Sequence, residues 1–276
     1  MSDYSPPRIH KKLELQLWWI TALLIAINIA LFSIQALTGT DVNQPSTSDA
    51  IRWGADYAPL TYLVEPMRLF SSMFFHFGLI HLMLNMWALY IFGSVAEQLY
   101  GRFYFIGLYV LAGLMGSLLS GYMSIQDSYS LIEGGVANPS LLLPSVSAGA
   151  SGAVMGLGGA LTILSLFPVL AQQKFILDKK TLLMVMGLNL MMGFMISGIN
   201  NAAHMGGMFM GGILSLVWYL GQKWQRANSM NMIALILASM LCYALYHYNL
   251  QLIEPIQPLW QDILNMMQQQ LSESKT

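Results

Sequence analysis

The chain has 276 residues, of which 56% are hydrophobic and only 9% are charged. Because soluble domains carry about 25% charged residues, this composition excludes an ordinary water-soluble protein. The formal net charge of −1 leaves no basic excess for nucleic acid, and a single cysteine, Cys242, excludes an internal disulfide.

Apolar stretches long enough to cross a bilayer recur along the chain. A helix needs about 20 apolar residues to span the hydrocarbon core, and roughly seven such stretches are predicted. They are residues 17–37, 79–99, 103–123, 151–170, 181–198, 202–220 and 232–250. The chain therefore divides into a short N-terminus (1–16), a membrane domain (17–250) and a C-terminal tail (251–276).

The basic residues of the short loops predict the orientation of these spans, because loops rich in Lys and Arg stay in the cytoplasm. They precede the first span and follow the second, fourth and sixth: Arg8, Lys11, Lys12, Arg102, Lys174, Lys179, Lys180, Lys223 and Arg226. We therefore expect a cytoplasmic N-terminus and an external tail. The expected location of this multi-pass protein is the bacterial inner (plasma) membrane.

Two of the predicted external loops, about residues 38–78 and 124–149, are longer than a compact bundle requires. Long ordered loops are commonly functional. The first mixes aromatic residues with prolines and charges, which suits either a segment lying on the membrane surface or an ordinary aromatic belt.

Small residues recur at every fourth position in the fourth and sixth predicted spans. They are Gly152, Gly156 and Ala160 in one span, and Ala203, Gly207, Gly211 and Ser215 in the other. Such ladders let helix backbones approach closely, so we expect these two spans to pack together.

Ser151 and His204 stand just inside the external ends of these same two spans. Packing of the spans would place a hydroxyl and an imidazole at one depth, and a serine becomes a good nucleophile when such a base takes its proton. No Asp or Glu lies in the external half of any predicted span, so a hydrolase of this kind would use a Ser-His dyad. Gly149 and Gly152 would let a peptide approach, and the Ser151 N–H lacks an acceptor at a helix start.

His81 and Asn85 in the second predicted span lie four residues apart and hence on one helical face. Together they could donate hydrogen bonds to the oxyanion of a tetrahedral intermediate. The alternative is that they bond only to neighbouring helices, as polar residues of membrane helices often do.

Three motifs now carry a resemblance to the rhomboid family. Gly149-Ala-Ser151-Gly152 resembles its Gly-x-Ser-Gly motif, and His81-Leu-Met-Leu-Asn85 resembles its His-x-x-x-Asn motif. The stretch from Ala203 to Gly211 resembles its Ala-His-x-x-Gly-x-x-x-Gly motif, which includes His204 and Gly207. Arg68 and the Glu97 to Gly101 segment also resemble the rhomboid first loop and second helix, so the similarity covers roughly residues 51–212.

The resemblance implies an all-α, polytopic membrane bundle with a six-helix core and one further C-terminal span. It implies an intramembrane serine endopeptidase that cuts transmembrane or juxtamembrane segments of other proteins, without cofactor or metal. By motif position Ser151 is the nucleophile and His204 the general base and later acid. His81, Asn85 and the Ser151 N–H form the oxyanion site.

The sequence departs from the family pattern at two positions. Met67 precedes Arg68 where the family often has tryptophan, and Met155 follows the serine by four where an aromatic residue is common. A methionine packs well against a histidine ring, so we expect catalysis to survive.

Three other functions compete with a serine endopeptidase. A non-catalytic rhomboid-like binder of membrane helices would be marked by loss of the serine or the histidine, and both are present. A transporter is suggested by His76, His81 and His204, but acidic partners for a proton relay are scarce. A zinc protease would need a His-Glu-x-x-His motif, which the sequence lacks. The sequence makes no prediction of the oligomeric state.

Overall fold

A computed structural model describes residues 17–134, 143–168, 179–195 and 200–273. The α-helices along these residues are α1 (Trp19–Leu37), α2 (Thr47–Arg52), α3 (Ala58–Leu63), α4 (Arg68–Ser71), α5 (Leu79–Tyr100), α6 (Arg102–Glu133), α7 (Ser151–Leu166), α8 (Lys179–Met195), α9 (Asn201–Lys223), α10 (Ala227–Ile253) and α11 (Gln257–Glu273). Short 3₁₀ helices cover Ser72–Phe74 and Glu254–Ile256, and two short strands are β1 (Asp56–Tyr57) and β2 (Val146–Ser147).

Five helical segments among these residues are long and apolar enough to cross a membrane: α1, α5, α6, α9 and the stretch Ala227–Gln269. Helices α7 and α8 are apolar but shorter, with 16 and 17 residues. The predicted polytopic helical bundle is confirmed. The predicted ends of the fourth and fifth spans, at Leu170 and Gly198, lie outside the described residues.

Helix α6 is longer than its apolar stretch predicts. We expected the third span to end at Met123, but the helix continues to Glu133 and stops at Gly134, whose φ is 75°. The added turns are more polar than the span, so the length of the apolar run underestimates the length of the helix. Helix formation continues until a residue with positive φ breaks it.

Helix α7 lies at the centre of the bundle, with all residues from Ser151 to Leu161 buried. Its glycines face those of α9: a Cβ on Gly207 would overlap the carbonyl oxygen of Gly152, and a Cβ on Gly211 would overlap that of Gly156. The predicted packing of the fourth and sixth spans is confirmed, and it is backbone against backbone.

A buried polar cluster joins α5, α6, α7 and α9 at the far end of the bundle from Ser151. The Tyr100 hydroxyl lies 2.7 Å from the Ser215 hydroxyl, and Ser215 donates to the carbonyl of Ala160 at 2.8 Å. Tyr104 donates to the carbonyl of Leu214 at 2.8 Å. Because buried hydroxyls need partners, these bonds fix the relative height of the four helices.

Glu97 on α5 holds the beginning of α1. Its carboxylate accepts hydrogen bonds from the N–H groups of Ile20 and Thr21, at 3.2 and 2.8 Å, and from the Thr21 hydroxyl at 2.9 Å. The first N–H groups of a helix lack internal acceptors and favour a negative charge. This role explains why a carboxylate is buried on α5.

The loop of residues 38–78 is ordered and built from short elements. Arg68 anchors it, donating to the carbonyls of Ile51 and Ala55 at 2.8 and 2.9 Å and pairing with Glu65 at 2.8 Å. Strand β1 pairs antiparallel with β2, with Asp56 opposite Ser147. The sequence did not predict this strand pair.

The predicted C-terminal tail carries α11, which packs back on the bundle. Trp260 of α11 is completely buried, and its ring N–H donates to the Ser128 hydroxyl of α6 at 2.9 Å. Preceding it in the chain, α10 packs on α6 and α9 and buries Cys242.

Candidate active site

Ser151 and His204 come together at the beginnings of two parallel helices. Helix α7 begins at Ser151, and α9 begins at Asn201, where the Asn200 side chain caps it by accepting from the Ala202 N–H at 2.8 Å. Close packing of the two helices places the His204 Nε2 atom 2.7 Å from the Ser151 Oγ atom, with both side chains buried. The predicted proximity of these side chains is therefore present.

The contact between the two side chains has the length of a hydrogen bond from a hydroxyl to a ring nitrogen. The serine can donate only if His204 Nε2 is unprotonated, which places the ring proton on Nδ1. That Nδ1 atom is buried and has no hydrogen-bond partner among the residues described. Among the described residues, a nucleophile thus lies beside a base, and no carboxylate accepts a hydrogen bond from the His204 Nδ1 atom.

The ring of His81 lies beside Gly149, two residues before Ser151. Its Nδ1 atom accepts a hydrogen bond from the Phe77 N–H at 3.2 Å, so a neutral ring carries its proton on Nε2. A Cβ placed on Gly149 would lie 3.0 Å from that Nε2 atom and 3.7 Å from the Ser151 Oγ. Gly149 has a φ of 125°, which favours glycine, so the space between the ring and the serine stays open.

Asn85 lies one helical turn after His81 and is also buried. Its side-chain nitrogen donates to the His81 carbonyl at 3.0 Å, a bond within its own helix. The amide has a second N–H group to offer a ligand. Both alternatives for Asn85, oxyanion donor and structural residue, are compatible with this geometry.

His76 is a site residue to which the sequence analysis gave no catalytic part. Its Nε2 atom accepts a hydrogen bond from the Ala150 N–H at 3.4 Å, and its ring packs edge-on against His81. Burial, together with the nearby His81, lowers the pKa of His76 well below its ordinary value. The Gly149 N–H also donates to the Ser72 carbonyl at 2.9 Å, so both residues before Ser151 are held by the 38–78 loop and its end.

The residues of this site fall within one known domain. A family model described as Rhomboid domain matches residues 64–223, more than half of the chain. The chain belongs to the rhomboid family. The match includes Ser151, His204, His81 and Asn85, four of the positions at which the sequence resembles rhomboid motifs.

This rhomboid has curated relatives in bacteria and plants. Rhomboid protease AarA of Providencia stuartii is 28% identical over 258 residues, which cover 88% of this chain and 89% of AarA. Rhomboid protease GluP of Bacillus subtilis (strain 168) is 32% identical over 69% of this chain, and RHOMBOID-like protein 6, mitochondrial, of Arabidopsis thaliana is 32% identical over 67%. The chain spans only 33% and 55% of the lengths of these last two relatives.

A cavity of about 20 Å³ adjoins Ser151 in this rhomboid. Its walls include Ser72, Ser117, Gly149 and Asn200. A volume of this size holds about one water molecule, and the hydroxyl and amide groups can bind it. The cavity therefore offers a polar place beside the nucleophile.

Asp56 is a buried acid in the 38–78 loop of this rhomboid, on strand β1, which pairs with β2 shortly before Ser151. It accepts a hydrogen bond from the Thr61 hydroxyl at 2.6 Å. Burial raises the pKa of Asp56 to about 7, although Thr61 and the nearby Arg68 act in the opposite direction. No sequence motif marks Asp56, because its burial depends on how the loop folds.

Proposed function

We propose that this rhomboid is an intramembrane serine endopeptidase that cleaves transmembrane or juxtamembrane segments of other membrane proteins. Ser151 is the nucleophile and His204 the general base of a Ser-His dyad. The observation that carries the proposal is the 2.7 Å contact between the Ser151 Oγ and His204 Nε2 atoms inside a buried helix pair. The names of the bacterial relatives, both called rhomboid proteases, support it.

The reaction follows from the positions of these groups. His204 Nε2 takes the hydroxyl proton as Oγ attacks the scissile carbonyl, and the same proton passes to the leaving amine as the peptide bond breaks. The His81 ring N–H, the Asn85 amide and the Ser151 N–H stabilise the oxyanion. Water, deprotonated by His204, then hydrolyses the acyl-enzyme and restores the serine.

The site lies at the end of the bundle that the charge pattern places outside the cytoplasm. We propose that the N-terminus is cytoplasmic, as the distribution of Lys and Arg favours. We also propose that the protein lies in a bacterial inner membrane, since AarA and GluP are bacterial proteins. Substrates would then be membrane proteins whose chains pass near the outer leaflet, where the buried Ser151 could receive an unfolded segment.

A serine-reactive fluorophosphonate tests the proposed dyad directly. The probe is expected to label Ser151 in the detergent-purified protein, because His204 raises the nucleophilicity of the hydroxyl. His204→Ala is expected to remove the labelling, measured by gel fluorescence and by mass spectrometry of the modified peptide. Equal labelling of the wild type and His204→Ala would contradict the role of the imidazole.

Asn85→Ala tests the oxyanion site. We expect kcat to fall about 100-fold with little change in KM, the loss typical of one oxyanion donor. Initial rates of cleavage of a single-span substrate measure both constants. Asn28→Ala is the matched control, because Asn28 is also buried and also donates to a carbonyl of its own helix, that of Leu24. An equal loss in both variants would leave Asn85 with a structural role only.

A further inference from the structure

Asn249 is a buried amide on a helix whose other buried residues are apolar. The buried face of α10 consists of Ala234, Ala238, Cys242, Asn249 and Ile253. Asn249 is 0% exposed, and its side-chain nitrogen donates to the Tyr62 hydroxyl at 2.8 Å and to the Leu118 carbonyl at 3.0 Å. A polar group at such a place is costly unless it is bonded, and both of its N–H groups are used.

Tyr62, the partner of Asn249, belongs to α3 in the loop of residues 38–78. Its hydroxyl fits against Gly121 of α6, where a Cβ would overlap it. Its ring stacks on Tyr246, with ring centres 5.8 Å apart, and lies 6.5 Å from the ring of Trp260. Residues of α6, α10 and α11 therefore enclose one side chain of the loop.

A series of short contacts links Tyr62 to the segment that runs from Ser147 to Ser151. The neighbouring Thr61 hydroxyl donates to Asp56 at 2.6 Å and accepts from the Tyr57 N–H at 3.3 Å, which joins α3 to β1. Strand β1 pairs with β2, where Asp56 lies opposite Ser147. The chain then runs from Ser147 through Gly149 directly into Ser151.

Helix α11 closes the same cluster from the other side. Trp260 and Ile256 are completely buried against α3 and α6. The bond from Trp260 to Ser128 fixes α11 to α6, and Ser128 in turn donates to the Ser124 carbonyl at 2.8 Å. The ring of Tyr62 is thus enclosed by neighbouring helices, and the bond from Asn249 holds its hydroxyl.

We infer that Asn249 is a positioning residue for the peptidase reaction. It does not touch the reacting atoms. It fixes the Tyr62 hydroxyl, and through α3 and the β1–β2 pair it sets the place of Gly149 and Ser151 relative to His204. The inference rests on the proposed function, and it gives the seventh predicted span a part in catalysis.

Asn249→Ala and Tyr62→Phe break the same hydrogen bond from its two ends. Each is expected to lower kcat about tenfold, because small misplacements of a nucleophile are costly, with KM changed by less than about twofold. The double variant should be no slower than the slower single variant, since both changes remove one interaction. The fluorophosphonate labelling rate of Ser151 should fall by the same factor, because it reports on the serine without a substrate.

Asn28→Ala serves again as the control. Asn28 is as buried as Asn249 but bonds within α1, away from the 38–78 loop. We expect it to lower the unfolding temperature in detergent about as much as Asn249→Ala does, with kcat and the labelling rate unchanged.

Three results would overturn the inference: wild-type kcat and labelling in Asn249→Ala, a loss confined to KM, or an equal loss of kcat in Asn28→Ala. If Asn249→Ala does not fold, Tyr62→Phe decides the question, since it removes a single oxygen atom. Failure of the proposed function would look different, because the wild type itself would neither cleave nor be labelled.

Discussion

Ser151→Ala is expected to abolish cleavage of a single-span substrate in detergent. The change removes the oxygen that attacks the scissile carbonyl, and in serine proteases the loss of the nucleophile costs about six orders of magnitude in kcat. The fold should persist, because the hydroxyl contact with His204 is a single hydrogen bond and alanine fits the same space. Product formation by gel electrophoresis and unfolding temperature by light scattering measure the two effects.

Ser165→Ala is the matched control for this experiment. Ser165 lies on the same helix, is 5% exposed like Ser151, and donates to the Thr162 carbonyl at 2.7 Å. We expect wild-type cleavage from this variant. Cleavage that persists in Ser151→Ala would transfer the chemistry to another residue and end the proposal of a Ser-His dyad.

Gly211→Ala is expected to destabilise the protein and to lower its activity about 100-fold. The added Cβ would overlap the carbonyl oxygen of Gly156, and neither backbone can move aside as a flexible side chain would. Overpacking of this kind costs about 1–3 kcal/mol. Separation of α7 from α9 would also lengthen the contact between Ser151 and His204, which lies two turns before Gly211.

The neighbouring glycine provides the control for this change. A Cβ on Gly212 would lie 3.7 Å from the Ile163 side chain, an ordinary van der Waals distance. Gly212→Ala should therefore retain both cleavage and unfolding temperature. If Gly211→Ala did the same, the backbones of α7 and α9 would have to be farther apart than the structure places them.

Most of the helical bundle could be predicted from the sequence because its signals are local. Length of apolar runs located α1, α5 and α9 closely, and small residues at every fourth position indicated that α7 and α9 pack together. These patterns depend on helical geometry alone. The end of α6 was predicted wrongly, because its last turns are helical without being apolar.

The site was predictable to the extent that its residues stand on the regular helices. Ser151 and His204 begin two packed helices, so their depth followed from the chain. His76 and Asn249 could not be assigned in this way, because their partners Ala150 and Tyr62 lie far away in the chain. Asp56 has a near partner, Thr61, but its burial depends on the fold of the loop. These features depend on the fold of the 38–78 loop, which cannot be predicted from the periodic patterns that mark helices.

Glu97 reaches across 76 residues of chain to Thr21. Because the ribosome makes α1 before Glu97, the N–H groups of Ile20 and Thr21 lack their carboxylate acceptor until α5 has been synthesised. Without α1 the same carboxylate would keep only its ion pair with Arg102, at 4.0 Å, among the residues that the structure describes. The hydrogen bonds between α1 and Glu97 thus form only when α1 and α5 are both in the membrane and in contact.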